Sequence, residues 1–225
     1  MELTTVEKFL LIAQHPEKGR FIIPDMQINY GIIGALLLEM SFLEMINIEN
    51  NRLILKSHKS TSDPIIKEIS LIIRNSRKPR KLRFWINKLA RKSRKYKWTI
   101  LSELVHKKLI RIENKKFLGL IPYRKTYLVG SKTRNSLLQE LKKSILSRRD
   151  ISDENIVVLG LVEACKMHKA ITTDKTELKK IKKELKVIIK ESPIAGTLDK
   201  TIKEVQAAIM VTLMASTVVT TTGSS

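Results

Sequence analysis

The sequence predicts a mainly α fold, a single helical domain carrying two small β-hairpins. Apolar residues recur at three- and four-residue spacing through most of the chain, and alternating segments occur at only two places. Nothing marks a flexible linker between them. With 43% hydrophobic and 29% charged residues, the 225-residue chain has enough apolar material for a sizeable core. Aromatics are only 5%, so that core must rest on Leu, Ile, Val and Met. The domain is expected to cover residues 1–215, with a Thr/Ser-rich tail over 216–225.

The elements follow in chain order. Thr4 and Glu7 form a capping box opening an amphipathic helix, rather than the positive start of a secretory signal. Asp25 precedes a long apolar helix through Ile28, Ile32, Ile33, Leu36, Leu37, Met40 and Leu43. Gly31 and Gly34 on it permit close approach of a neighbour. Ile46 and Ile48 alternate outward, Glu49-Asn50-Asn51 turns, and Leu53 and Leu55 return as a hairpin. Ser62-Asp63-Pro64 starts a helix through Ile65 to Ile73. Helix resumes over Lys81 to Lys108 with a break near Arg91 to Arg94. A second hairpin goes out over Leu109 to Ile112, turns at Glu113 to Lys116, and returns over Phe117 to Val129, with Pro122 as an edge signal. Helices are then expected over Thr133–Leu146, Asp153–His168, Thr176–Glu191 and Leu198–Met214, with a loop at Ser192 to Gly196. The stretch from Val205 to Ser225 has an apolar centre too short to span a bilayer.

Charge narrows the function. Forty-three Lys and Arg against 22 acids give a formal net charge of +21, which favours a polyanionic partner, either nucleic acid or an anionic membrane. Twelve Lys or Arg lie between Arg74 and Lys97 without one acid, interleaved with Phe84, Trp85, Tyr96 and Trp98. Pairing along a helix cannot neutralise such a block, so it is read as anion-binding. The later lysines from Lys179 to Lys190 are punctuated by Glu177, Glu184 and Glu191 and read as an exposed helix face. One cysteine, Cys165, excludes an internal disulfide and a Cys-based zinc cluster. His15, His58, His106 and His168 lack metal-ligand spacing, and no nucleotide or nucleophile motif is present. Cys165 and His168 stand three apart on one expected helix, where packing rather than a catalytic dyad is the reading. No enzyme signature, metal or cofactor is expected.

In order and spacing, Leu3-Thr4-Thr5-Val6-Glu7-Lys8-Phe9-Leu10-Leu11, Gly31-Ile32-Ile33-Gly34-Ala35-Leu36-Leu37-Leu38-Glu39, Phe84-Trp85-Ile86 and Leu104-Val105-His106-Lys107-Lys108-Leu109-Ile110 resemble the Golgi phosphoprotein 3 family. The resemblance covers roughly Leu3 to Ala215. It implies a mostly helical peripheral membrane protein binding phosphatidylinositol 4-phosphate, with an adaptor role toward a membrane-protein client; the absence of a targeting signal reads as cytoplasmic, and a homo-oligomer stays open. The family's head-group pocket uses a Trp, an Arg in the glycine-containing helix, and two Arg three apart on a later helix. Here the first two positions hold Pro24 and Ile33, and the pair falls on Arg94 and Lys97, with Arg91 beside them. The resemblance therefore implies anionic lipid binding by Arg91, Arg94 and Lys97 more than one phosphoinositide. It also makes the second hairpin a membrane-dipping element, in which Phe117, Leu118, Leu120 and Ile121 enter the lipid. Lys115, Lys116, Arg124 and Lys125 flank that run, and an apolar tip with basic shoulders suits interfacial insertion. The alternative is a winged-helix-like nucleic-acid binder, against which the apolar tip counts.

Overall fold

The computed structural model describes residues 2–56, 61–118, 120–148, 151–192 and 195–218, the side chains of 195 and 210–218 aside. The chain is 63% helical, so the expected mainly α class with small antiparallel sheets holds. Helix α1 (Thr5–Ala13) starts in the Thr4–Glu7 capping box, in which the Glu7 side chain accepts from the Thr4 backbone. Helix α2 (Asp25–Phe42) is apolar nearly all round, the pattern of a helix buried on every side rather than laid on a surface. Strands β1 (Ile46–Glu49) and β2 (Arg52–Leu55) close about Asn50 and Asn51. Both have positive φ (47° and 58°), as a two-residue hairpin turn needs. Helix α3 (Pro64–Arg74) is capped by Asp63, whose carboxylate accepts from the Ile65 and Ile66 amides. A strand that the sequence reading lacks, β3 (Arg80–Lys81), pairs with β2 and makes the first hairpin three-stranded. Two residues carry no periodicity to read.

Helices α4 (Leu82–Ala90) and α5 (Ser93–His106) meet at the expected break. Strands β4 (Ile110–Phe117) and β5 (Ile121–Leu128) form the second hairpin. Its turn lies around Leu118 to Leu120, not at Glu113 to Lys116. The charged stretch looked like a turn, but its side chains pair along the strand: Glu113 holds Lys115 at 2.9 Å and Arg111 at 2.5 Å. Helices α6 (Ser131–Ser147), α7 (Asp153–Ala164), α8 (His168–Ile171), α9 (Lys175–Glu191) and α10 (Ala195–Val218) follow among the described residues. The single helix expected over Asp153–His168 is two. Lys166 takes a left-handed φ of 54° between α7 and α8, so Cys165 and His168 do not share a helix. Of the loop expected at Ser192 to Gly196, Ser192 caps α9, residues 193–194 lie outside the described residues, and α10 has begun by Ala195. Most of the expected tail, residues 219–225, also lies outside them.

Helix α2 is the axis, with α1, α4, α5, α7 and α10 packed around it. Close packing explains its glycines. A Cβ on Gly31 would sit 2.2 Å from Phe9 Cζ and 2.9 Å from Cys165 Sγ, and one on Gly34 would sit 2.9 Å from Val205 Cγ2.

Near the other end of α2, Glu39 carries a buried Oε2 without a hydrogen-bond partner among the described residues. Burial first, and then Asp63, Glu7 and Glu154, push its pKa from 4.5 up to about 7. The unfolded chain releases this proton near 4.5, so native stability is fully held below that pH and falls as pH rises through 7. Glu39→Gln is expected to leave stability unchanged at pH 4 and to raise it by about 3 kcal/mol at pH 8. Urea unfolding at the two pH values checks this, and equal shifts at both would refute it.

Candidate anion cavity and apolar hairpin tip

The connection from α1 to α2 builds one wall of a cavity. Arg134 on α6 is buried and donates to the Leu11 and Ile12 carbonyls at 3.2 and 3.1 Å, finishing the C-terminal turn of α1. Gln14 then joins the connection to the second hairpin. Its amide nitrogen donates to the carbonyls of Arg20 and Thr126, and its oxygen accepts from the Thr126 hydroxyl at 2.9 Å. The Ile22 amide donates to Ala13 O at 2.8 Å, and Gly19 lies against the Tyr127 ring too closely to admit a Cβ. These ties hold the segment from Gln14 to Pro24 between α1 and β5.

The result is a cavity of about 440 Å³ lined by Arg20, Phe21, Pro24, Lys97, Trp98 and Arg124, with Asp25 at its edge. Lys97 is only 6% exposed, yet its ammonium is held 3.2 Å from Asp25 Oδ1 and stands 5.8 Å from the Trp98 ring centre. Arg124 lies over the same ring at 4.9 Å. Three cations facing one carboxylate leave the cavity net positive. The Trp98 ring orients Lys97 and Arg124 without neutralising them.

The sequence-predicted residues divide here. Lys97 lines the cavity, whereas Arg91 and Arg94 stay exposed around the α4–α5 corner and line none of it. Arg20 was missed and Arg124 was read only as a shoulder of the hairpin. Both join Lys97 through contacts between segments more than twenty residues apart. Pro24 lines the cavity, while Ile33, at the family's arginine position, is completely buried and cannot reach a head group. The acid-free block is partly neutralised from elsewhere in the fold. Glu68 takes both Lys92 (2.8 Å) and Lys95 (2.7 Å), which hold its carboxyl down to about 2, and Glu204 takes Arg83 at 2.9 Å. Arg80 and Lys88 instead flank the exposed Phe84 ring at 5.1 and 5.7 Å. Burial pushes the Cys165 thiol up to about 12, and His168 Nε2 is engaged by Glu163 Oε2 at 2.7 Å, so the two form no dyad.

The four hairpin residues are outside the core. Phe117 is 58% exposed, Leu118 81%, Leu120 83% and Ile121 62%, while Gly119 between them lies outside the described residues. Leu118 also holds a left-handed φ of 48°, a conformation that costs a leucine about 1 kcal/mol and that Asn or Gly adopts more easily. A large apolar side chain kept both in water and in strain has no folding rationale at this position. Arg124 and Thr126, a few residues down β5, already line the cavity.

Among the described residues no helix is long and apolar enough to cross a membrane. The class defined here is a helical-core protein with a cationic cavity beside an exposed apolar hairpin. The family model of Golgi phosphoprotein 3 matches residues 6–205, and the chain belongs to that family. No curated protein matches it.

Proposed function

We propose that this protein is a peripheral membrane protein of the cytoplasmic face, binding anionic lipid head groups without catalysing a reaction. The hairpin tip enters the lipid interface while Arg20, Lys97 and Arg124 receive a head-group phosphate. A membrane-protein client, for which it would act as adaptor, belongs to the same proposal. The observation that carries the reading is adjacency: four exposed apolar side chains crown the same hairpin that supplies Arg124 to the cavity. Each cation near an anionic surface contributes about 1 kcal/mol, and each inserted large side chain on the order of 1.5–3 kcal/mol. Neither alone gives useful affinity, and together they do. Lys97 is paired with Asp25, so an arriving phosphate exchanges one ion pair for another. Nucleic acid is the weaker reading, because a hairpin entering a groove would gain from polar tip residues.

Co-sedimentation with vesicles tests it. Arg20→Ser with Arg124→Ser, both exposed, is expected to weaken binding about tenfold at low salt and little at 0.5 M salt, where the Debye length is short. Undiminished low-salt binding by the folded variant would remove the cavity from the proposal. With Pro24 and Ile33 at the family's positions, vesicles carrying phosphatidylinositol 4-phosphate and vesicles of equal charge carrying phosphatidylserine should differ less than threefold. A strong preference for the phosphoinositide would show that other residues rebuild selectivity.

A further inference from the structure

The lysines of α9 read from sequence as a face balanced by the acids of the same helix, and the fold undoes that balance. Glu177 is taken by Lys142 of α6 at 2.7 Å, and Glu184 is taken by Arg148 just beyond α6. Those two carboxylates are spent on the α6 side. Lys182 and Lys186 instead face the turn between α7 and α8, where they line a cavity of about 370 Å³ with Lys166, Lys169, Glu163 and His168. Four ammonium groups meet there, all on exposed residues, around one carboxylate. That one carboxylate offsets a single charge and is held in place, because Glu163 Oε2 is bonded to His168 Nε2 at 2.7 Å and the His168 side chain is only 7% exposed. The hydrogen bond from His168 and the fields of Lys186 and Lys182 hold the Glu163 carboxyl below its ordinary range. Lys166 adds to the cluster from a left-handed position where glycine would be less strained.

We propose that this cavity is a second anion site, separate from the one on Lys97, and that it takes a ligand carrying two or more phosphate groups. The charge selects the class. Four ammonium groups against one engaged carboxylate leave an excess that a single carboxylate ligand cannot balance, whereas a bisphosphate can. Lysine binds phosphate as a movable point charge and needs no planar partner. The place in the fold is also informative. Cys165, one residue before Lys166, directs its Sγ to Gln27 O at 3.6 Å, and Gln27 lies two residues from Asp25 of the first cavity. The turn that carries Lys166 is thus anchored on the first turn of α2, the helix whose Asp25 lines the first cavity. A phosphate on a lipid head group and a phosphate on a soluble metabolite share this chemistry.

Calorimetric titration with inorganic pyrophosphate, and co-sedimentation with vesicles containing 20% phosphatidylinositol bisphosphate, test the site on the full chain. Lys182→Gln with Lys186→Gln should weaken pyrophosphate binding at least tenfold. Lys180→Gln with Lys183→Gln removes the same charge from α9 at positions that do not line the cavity, and should change binding less than twofold. Parallel loss of vesicle binding in the first variant assigns the phosphate to a lipid head group, and unchanged vesicle binding assigns it to a soluble ligand. Arg20→Ser with Arg124→Ser, run alongside, must leave this second component in place, so failure of the lipid-binding reading stays distinguishable. The proposal is overturned if the two α9 variants behave alike toward both pyrophosphate and vesicles.

Discussion

Vesicle affinity is expected to fall about a hundredfold in Leu118→Asn with Leu120→Ser, while the thermal midpoint stays level or rises. Both side chains are more than four-fifths exposed, so their removal takes no contact from the core. Asn is at ease at the φ of 48° that Leu118 holds, which relieves strain in the folded chain. Two leucines half to fully inserted contribute roughly 3 kcal/mol or more of membrane affinity, and 3 kcal/mol is a factor of about 100. Salt separates this loss from that of the cavity variant: apolar transfer is not screened, so the deficit should persist at 0.5 M salt. Nucleic-acid binding, dominated by phosphate contacts, should hardly respond. A variant that is stabilised yet sediments normally with vesicles would show that the tip is not inserted.

The largest expected loss of stability comes from Arg134. It is 6% exposed, donates to two buried carbonyls of α1, and has its pKa lowered by burial. Arg134→Met keeps most of the stem and leaves Leu11 O and Ile12 O without that donor. A hydrogen bond from a charged group contributes about 1.5–3 kcal/mol, and relief from burying the guanidinium offsets part of the two. A net cost of about 3 kcal/mol, or a midpoint about 10 °C lower, is the expected result in a thermal scan. Arg134→Lys should restore little, since one ammonium cannot span two carbonyls in the geometry of the planar fork. Full stability in Arg134→Met would mean that other donors take over the end of α1.

Local signals made the helical frame legible. The apolar pattern from Ile28 to Leu43 announced a long apolar helix, Ser62-Asp63-Pro64 a helix start, and Glu49-Asn50-Asn51 a turn. Each depends on neighbours within a few residues. The misreadings share the opposite property. The charges from Glu113 to Lys116 resemble a turn until cross-strand pairing over to Lys125 is known, because only the partner strand shows that the backbone stays extended. Glu68 and Glu204 neutralise parts of the basic block from α3 and α10, and no periodicity reports such pairs. Of the candidate site, the apolar tip was readable because four large side chains sit together between basic residues. The cavity was not. It needs Arg20 beside Arg124, and the tie that sets them there, Gln14 to Thr126, spans 112 residues.

That same tie makes the cavity and the hairpin tip mechanically one body. From Arg124 to Ile121 along β5 is about 10 Å of hydrogen-bonded strand at 3.3 Å per residue. A protein whose tip has entered the lipid therefore presents its cavity to head groups at a fixed height and at millimolar or higher effective concentration. On the proposed lipid-binding reading, departure would require cavity and tip to release within one encounter, so dwell time would scale with the product of two weak equilibria rather than with their sum. In single-particle tracking on supported bilayers, cavity and tip variants should shorten dwell time each by its own factor. A Gln14→Ala variant that slackens the tie should shorten it too, while leaving every lipid-contacting side chain in place.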